Sequence, residues 1–297
     1  MTLTDTRHSA GHAGGGELAE IELRMLLQGL LLRYGYDFTN YQYDTLLRRV
    51  EDFRQLVGGD STLRLAERML RDETLFFEFL PQLSVSVTSF FRDTAVFRSL
   101  KENVFPMLRT WPRFKIWHAG CATGEEVFSL AILLEEAGLL DRATIFATDI
   151  SSPALRTAQR GVYALPMVRR GSESFTAAGG DGSFAEYFTT STHTAIVRRD
   201  IRNAVTFSRH NLAMDSSFGE MQLVLCRNVL IYFNDTLRER ALDLLKNSTD
   251  FGGFLCLGNT ESLCFSEVEQ AFEELGAGSR IYKRAHQPEQ PRRPVFL

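Results

Sequence analysis

Two neighbouring carboxylates, Glu125 and Glu126, follow a turn of small residues that begins at Gly120 and ends at Gly124. Glycines let a backbone approach a ligand closely, and free N–H groups at a helix start favour a nucleotide-type cofactor. The turn lacks the G-x-G-x-x-G spacing of a dinucleotide site. The carboxylates suit the positive end of a helix but would repel a pyrophosphate. This chemistry favours a ligand with cationic amino and sulfonium groups, and S-adenosylmethionine fits that description.

A strand and a helix must hold this turn. Residues 115–119 are predicted to form a buried strand, and residues 127–134 continue as a helix. From about residue 112 strand and helix patterns alternate, which indicates a parallel α/β sheet. Strands are predicted over 115–119, 144–148, 205–208, 221–226 and 253–258, with a last strand over 280–283 running antiparallel at the sheet's edge.

The chain before this sheet reads as helical. Apolar residues recur at helical spacing in the first predicted helix, and the sequence at 60–62 supplies caps for a third one. We predict a disordered N-terminus over 1–16, a helical domain over 17–83 and a cofactor-binding domain over 84–286. A small β-subdomain is expected as an insertion at about 165–204, and residues 287–297 form a Pro-rich tail that we expect to be disordered.

Composition excludes several classes of protein. A hydrophobic content of 44% predicts a packed core, and a net charge of −4 gives no basic field for nucleic acid. The four cysteines form no C-x-x-C pair, so we expect no metal site and a reducing, cytoplasmic location. Residues 1–16 lack the apolar core of a signal peptide, and the apolar run at 25–32 is too short to cross a bilayer. We therefore expect no membrane insertion.

Asp149 comes at the end of the second predicted strand. An acidic residue at this place in a doubly wound sheet accepts hydrogen bonds from ribose hydroxyls. The alternative is that Asp149 is an N-cap before the sequence Ser-Ser-Pro at 151–153. The small-residue turn upstream favours a contact with ribose or adenosine.

Polar residues also end the fourth strand, where Arg227 and Asn228 would face the ligand crevice and Tyr232 follows closely. The alternative is an ordinary salt bridge for Arg227 and a core position for Tyr232. The sequence at 88–92, Thr-Ser-Phe-Phe-Arg, suits a segment lying across a cofactor pocket. Its alternative is a packed linker in which Asp93 caps the next helix.

Four segments together resemble a known family. They are Thr-Ser-Phe-Phe-Arg at 88–92, Cys-Ala-Thr-Gly-Glu-Glu at 121–126, Ala-Thr-Asp-Ile at 147–150 and Cys-Arg-Asn-Val-Leu-Ile-Tyr-Phe at 226–233. In this order they are similar to the motifs of the CheR family, the bacterial chemotaxis-receptor glutamate methyltransferases. The resemblance implies a Rossmann-like S-adenosylmethionine-dependent methyltransferase domain of α/β class, with a small β-subdomain insertion and a preceding all-α domain.

The resemblance also implies roles for individual residues. Arg92 and Tyr232 are the catalytic candidates, which would orient the substrate carboxylate, while Glu126 is expected to be an ordinary helix-start charge. Together with the positions argued above, the cofactor-binding candidates are Thr88, Arg92, Gly120, Glu125, Asp149, Asn211, Leu212, Arg227 and Asn228. The cofactor would be S-adenosylmethionine, leaving as S-adenosylhomocysteine.

The implied reaction is methyl transfer to glutamate side chains of chemoreceptors, with the receptor cytoplasmic domain as partner and a monomeric enzyme. The alternatives are a catalytically weak cofactor-binding scaffold and a methyltransferase for a small carboxylate. The stretch 187–197 has no glycine, which resembles family members that do not bind a receptor pentapeptide. Two basic faces could meet the substrate: one holds Arg48, Arg49 and Arg54, and the other holds Arg64, Arg68 and Arg71.

Overall fold

The computed structural model describes residues 13–36, 38, 43–59, 61–83, 88–212, 215–233 and 235–285. These residues divide into two compact units. A helical unit covers the described residues up to 83 together with 232 and 233, and an α/β unit covers the rest. The first helix begins at Ala13, inside the segment 1–16 for which disorder is predicted; residues 1–12 and 286–297 lie outside the described part.

The helical unit contains four helices. They are α1 (Ala13–Tyr34), α2 (Tyr43–Leu56), α3 (Thr62–Arg71) and α4 (Glu73–Leu83). Ser61 is the N-cap of α3, and its Oγ accepts the N–H of Arg64 at 3.3 Å, which confirms the predicted cap. In α1 the buried leucines are Leu23, Leu26 and Leu30. The four residues whose spacing predicts this helix, Leu18, Ile21, Met25 and Leu32, are exposed.

The α/β unit is built on a seven-stranded sheet. Its strands are β1 (Phe114–Ala119), β2 (Ala143–Asp149), β6 (Val205–Arg209), β7 (Met221–Cys226), β8 (Thr249–Leu257), β9 (Phe272–Glu274) and β10 (Ile281–Arg284). The order across the sheet is β6-β2-β1-β7-β8-β10-β9, and the first five strands are parallel. The last strand is antiparallel to β8 as predicted, but it is not the edge, because β9 pairs along its outer side.

A second, three-stranded antiparallel sheet has the order β3-β5-β4. Its strands are β3 (Val162–Ala164), β4 (Phe188–Thr190) and β5 (Thr194–Val197). The helices of the α/β unit are α5 (Thr94–Ser99), α6 (Phe105–Leu108), α7 (Glu125–Glu136), α8 (Ser152–Arg160), α9 (Leu165–Ala177), α10 (Arg199–Asn203) and α11 (Asp235–Ser248). A π-helical turn, Leu100–Val104, joins α5 to α6.

The sheet order places the site. The chain passes from β1 to β2 on one side and returns on the other side of β1 at β7, so the strand order reverses between β1 and β7. Ligands of open α/β sheets bind at such a reversal, outside the carboxyl ends of the strands. None of the described helices has the length and apolarity needed to cross a membrane.

Candidate cofactor site

The turn after β1 requires glycine at both of its predicted positions. Gly120 has φ +79°, and a Cβ there would collide with Cγ2 of Val229 in the loop after β7. Gly124 has φ +92°, and its Cβ would lie 2.9 Å from Cβ of Ala158 in α8. Both glycines therefore let neighbouring protein segments close around the turn. Close approach of a ligand is therefore one reason for glycine at these positions, and packing against Val229 and Ala158 is a second.

Asp149 joins the turn after β1 to the turn after β2. Its Oδ2 accepts the N–H of Ala122 at 2.8 Å, and its Oδ1 accepts the N–H of Ser151 at 2.8 Å. The N-cap of α8 is Ser151, so the alternative reading of Asp149 as the cap is wrong. Burial raises the pKa of the Asp149 carboxyl, and the backbone N–H bonds offset this only in part. A carboxylate has about four acceptor sites, so capacity for a ligand hydroxyl is left.

Glu125 is a buried carboxylate at the start of α7, with 2% of its surface exposed. The hydroxyl of Thr123 donates to its Oε2 at 2.6 Å. Burial raises the pKa of Glu125, and side-chain hydrogen bonds from Thr123 and Thr88 oppose this rise. Among the described residues no cationic side chain pairs with it. A buried carboxylate in this state would be stabilised by a cationic ligand.

The neighbouring Glu126 is in the opposite situation. Its Oε2 lies 2.7 Å from Nη1 of Arg227, and its Oε1 lies 3.4 Å from Nδ1 of His118. Burial raises the pKa of Glu126, but Arg227 and His118 outweigh it and the pKa falls below its usual range. Glu126 lies in the first turn of α7, as expected of a helix-start charge, and it is also the half-buried partner of the fully buried Arg227 side chain.

Arg227 extends this ion pair to a third element. Its side chain is fully buried, and its Nη2 lies 2.7 Å from Oδ2 of Asp93 while Nη1 also donates to the carbonyl of Arg92 at 3.3 Å. We call Asp93, Glu126 and Arg227 the Arg227 network. The salt-bridge alternative considered for Arg227 is thus the one that the structure shows. Both terminal nitrogens of its guanidinium contact protein atoms, while its Nε is buried with no hydrogen-bond partner among the described residues.

The segment 88–93 is anchored against the three-stranded sheet and its flanking helices by its two phenylalanines. Phe90 and Phe91 are buried among aromatic rings of the small sheet and its flanking helices, with ring centroids 5.3 and 5.4 Å from Phe184. The N–H of Phe91 donates to Oγ of Ser129 at 2.9 Å. Asp93 stands at the N-cap position of α5, as that alternative expects, but its side chain makes no capping hydrogen bond. The side chain of Arg92 is exposed beside these anchored neighbours.

Backbone strain is concentrated in the same loops. Six described non-glycine residues have positive φ, and four of them belong to this site: Phe91, Asp93, Ala122 and Asn228. Each left-handed non-glycine residue costs of the order of 1–3 kcal/mol, and such residues cluster at functional sites. The strain therefore marks the loops after β1 and β7 and the segment 88–93 as parts of one built site.

Glu261 is a residue of this site that the sequence argument missed. It is 5% exposed and accepts backbone N–H groups from Gly258 at 2.7 Å and from Asn228 and Leu230 at 2.8 Å. Burial raises the pKa of Glu261, and these N–H bonds oppose the rise. The carboxylate thus fixes the loop after β7. Its place just beyond the carboxyl end of β8 was the available signal.

The remaining candidates follow β6 and β7. Asn211 donates its backbone N–H to Oδ2 of Asp215 at 2.8 Å, and Leu212 is buried. The preceding residue, His210, donates its N–H to the carbonyl of Asp149 at 3.2 Å, and this bond connects the segment after β6 to the end of β2. Tyr232 is half-buried and groups with the helical unit, unlike the other candidates, which are all in the α/β unit.

The site has a definite chemical character. Glu125 and Asp149, at the carboxyl ends of adjacent strands, are carboxylates without a cationic partner among the described residues. They match a ligand that carries a cationic group and hydroxyls, as S-adenosylmethionine does. No group of three or more described His, Cys, Asp or Glu side chains is arranged to hold a metal ion.

Comparison with known proteins agrees with this character. The family profile described as CheR methyltransferase, SAM binding domain, matches residues 86–281. A Pseudomonas putida protein that carries the name of a methyltransferase, Cher3, is 44% identical over 266 residues, which are 90% of this chain and 97% of that protein. The chemotaxis protein methyltransferase of Listeria innocua is 29% identical over 235 residues, 77% of this chain and 85% of that protein.

A longer protein is also similar. An uncharacterized 104.1 kDa protein of Rhodobacter capsulatus is 34% identical over 294 residues, which are 95% of this chain but 29% of that protein. The chain thus spans less than a third of this relative, and most of the Pseudomonas and Listeria proteins.

Proposed function

Since the chain belongs to the CheR methyltransferase family, we propose that it transfers a methyl group from S-adenosylmethionine to glutamate side chains of a chemoreceptor cytoplasmic domain. The products are glutamate methyl esters and S-adenosylhomocysteine. The observation that carries this proposal is a pair of carboxylates, the buried Glu125 and the half-buried Asp149, that have no cationic partner among the described residues, together with an exposed arginine, Arg92.

The donor side rests on these carboxylates. S-adenosylmethionine, when bound, supplies a methyl group on a positively charged sulfur that an oxygen nucleophile can accept. Glu125 would bind the cationic amino-acid portion, since its charge is buried without a cationic partner among the described residues. Asp149 would accept hydrogen bonds from ribose hydroxyls with the capacity that the N–H bonds of Ala122 and Ser151 leave.

The acceptor side needs little chemistry from the protein. A glutamate side chain has a reference pKa of about 4.3, so it is ionised near neutral pH and needs no general base. The protein's contribution is to align this carboxylate and to exclude water, and alignment alone can supply up to about 7–11 kcal/mol.

Arg92 is the proposed steering residue for that carboxylate. Its side chain is exposed, while its backbone carbonyl is held by Arg227 and the neighbouring Phe91 by Ser129. A guanidinium that is free to meet a carboxylate suits bidentate recognition. Tyr232 is the second proposed orienting residue. Its hydroxyl would add a hydrogen bond to the substrate.

The test is transfer of label from methyl-labelled S-adenosylmethionine to a panel of chemoreceptor cytoplasmic fragments. We expect base-labile label on at least one receptor with the wild type. Arg92→Ala should lose most of this transfer, by about a hundredfold or more, while cofactor affinity changes far less. Arg113→Ala, an exposed arginine of the same unit, is the matched control.

Cofactor binding without label on any receptor would contradict the proposal and favour the scaffold alternative. Label that survives base would contradict ester formation. Near-normal turnover in Arg92→Ala would remove Arg92 from the catalytic set.

A further inference from the structure

The Arg227 network lies next to the proposed catalytic arginine without including its side chain. Arg227 reaches Asp93 and Glu126 with 2.7 Å contacts and the backbone carbonyl of Arg92 with a 3.3 Å contact. These partners stand on two elements, the segment before α5 and the first turn of α7, while Arg227 itself follows the end of β7. One side chain thus connects the turn that holds the cofactor candidates to the segment that holds Arg92.

The segment needs such a connection. Residues on both sides of Arg92 adopt left-handed backbone conformations, Phe91 at φ +56° and Asp93 at φ +61°. Residues other than glycine rarely adopt this backbone conformation unless surrounding contacts impose it. Ser129 fixes the N–H of Phe91, and Arg227 fixes the carbonyl of Arg92 and the carboxylate of Asp93. The direction in which the Arg92 side chain leaves the backbone is set by these contacts.

We propose that Arg227, itself held by Glu126, is a positioning residue that fixes the backbone at Arg92 so that its guanidinium meets the substrate carboxylate. This inference rests on the proposed function, because it assigns the network a task in carboxylate methylation. It departs from the role that family resemblance gives Arg227, which is direct contact with the cofactor.

The chemistry of the network supports a positioning task. A guanidinium presents several N–H donors in a rigid plane, so one arginine can bridge two carboxylates and a carbonyl, whereas an ammonium acts as a single point charge. Buried ion networks add little net stability, because desolvation offsets their attraction, and fixing one specific arrangement is their better-attested use. His118 lies on the other side of Glu126 with Nδ1 at 3.4 Å and limits the movement of that carboxylate.

The first test is a double-mutant cycle between Glu126→Gln and Arg92→Ala, read as kcat, KM and cofactor dissociation constant. Glu126→Gln alone should lower kcat about ten- to a hundredfold, with cofactor affinity nearly unchanged. In the Arg92→Ala background it should cause little further loss, because the group being positioned is gone. Arg227→Lys should resemble Glu126→Gln. The matched control is Glu135→Gln, because Glu135 lies on the same helix as Glu126. This substitution breaks the 3.3 Å ion pair between Glu135 and Arg198 and should leave kcat unchanged.

The second test does not depend on methyl transfer. Hydrogen–deuterium exchange over residues 88–93 should be faster in Glu126→Gln than in the wild type and unchanged in Glu135→Gln. Losses of kcat that add up in the double mutant, or a cofactor affinity that falls in parallel with kcat, would overturn the inference. Unchanged exchange would overturn it as well. If the wild type labels no receptor, the proposed function fails, while the exchange result still decides whether the network fixes this segment.

Discussion

Glu125 and Glu126 are adjacent in the chain, yet they meet opposite electrostatic surroundings. Glu126 is neutralised by Arg227 at 2.7 Å, whereas Glu125 is buried with hydroxyl and backbone partners and no cationic side chain among the described residues. Two acidic residues at a helix start would both be explained by the helix dipole, which favours negative charge there. The structure separates them: one helps to hold the fold of the site, and the other is available to a cationic ligand.

Replacing Glu125 with glutamine tests this separation. Glu125→Gln keeps an acceptor for the hydroxyl of Thr123 but removes the charge, so the dissociation constant for S-adenosylmethionine should rise about tenfold or more. Isothermal titration calorimetry measures this change, with Glu135→Gln as the control. An unchanged dissociation constant would show that Glu125 does not bind the cationic group.

The pH dependence of the free energy of unfolding gives a second test of Glu125→Gln. Since burial raises the pKa of Glu125, the folded state binds more protons than the unfolded state between the two pKa values. The free energy of unfolding of the wild type therefore loses a contribution as pH rises from the unfolded pKa through the raised folded pKa. Urea unfolding at a series of pH values should show that Glu125→Gln lacks this contribution and is relatively more stable above the window. A variant that is relatively less stable there would contradict the assignment.

Individual site residues can be predicted from the sequence where their place in the strand-turn-helix pattern determines their role. Asp149 and Glu125 were found because each follows a predicted strand. The partners of Arg227 were not, since Asp93 and Glu126 are 134 and 101 positions away and no local pattern connects them. The sequence left Arg227 with two readings, and long-range packing selects between them.

Among the elements, the loop after β7 depends most on one distant side chain. Glu261 accepts N–H groups of Asn228, Leu230 and Ile231 from this loop and of Gly258 after β8. Four donors converge on one carboxylate, and Asn228 is held at φ +59°. The loop continues directly into the helical turn Leu230–Tyr232.

Glu261→Gln should therefore be costly. The amide cannot accept on both terminal atoms, so backbone N–H groups lose their acceptor at about 1–3 kcal/mol each. Urea unfolding should show destabilisation of that order, together with reduced turnover. Glu269→Gln is the matched control, because Glu269 accepts the N–H of Phe265 at 2.8 Å at an exposed position and should change stability by less than about 0.5 kcal/mol. Equal stability of the two variants would contradict the role of Glu261.

The predicted strands differ from those in the structure where strand pairing depends on tertiary contacts that the local sequence pattern does not show. The parallel strands were predicted because alternation with helices is a strong signal, and their bounds are close to those found. The short strand Phe272–Glu274 was missed because three residues with two acidic side chains give no strand pattern. Its pairing moves Ile281–Arg284 from the edge to an inner position, which no local pattern shows.

Over the whole molecule, the two basic faces considered for substrate binding are partly occupied within the helical unit. In the first face, Arg54 binds Glu51, and hydrogen bonds from Arg54 and Gln55 lower the pKa of Glu51 to about 2. Arg49 of the same face donates to the carbonyl of Gln82. In the second, one arginine donates to a backbone carbonyl and another pairs with a glutamate one turn away. The spacing of charges in the sequence indicated two basic faces. In the folded helical unit, arginines of each face make contacts within the unit.

We propose that this molecule esterifies a receptor glutamate at a carboxylate-lined S-adenosylmethionine site. Peptide mass spectrometry of a chemoreceptor cytoplasmic fragment, after incubation with the enzyme and S-adenosylmethionine, tests it most directly. We predict methyl groups on glutamate side chains with the wild type and with Arg113→Ala, removed by mild base and lost with Arg92→Ala. Methyl groups confined to other residue types, or equal glutamate modification by Arg92→Ala, would contradict it.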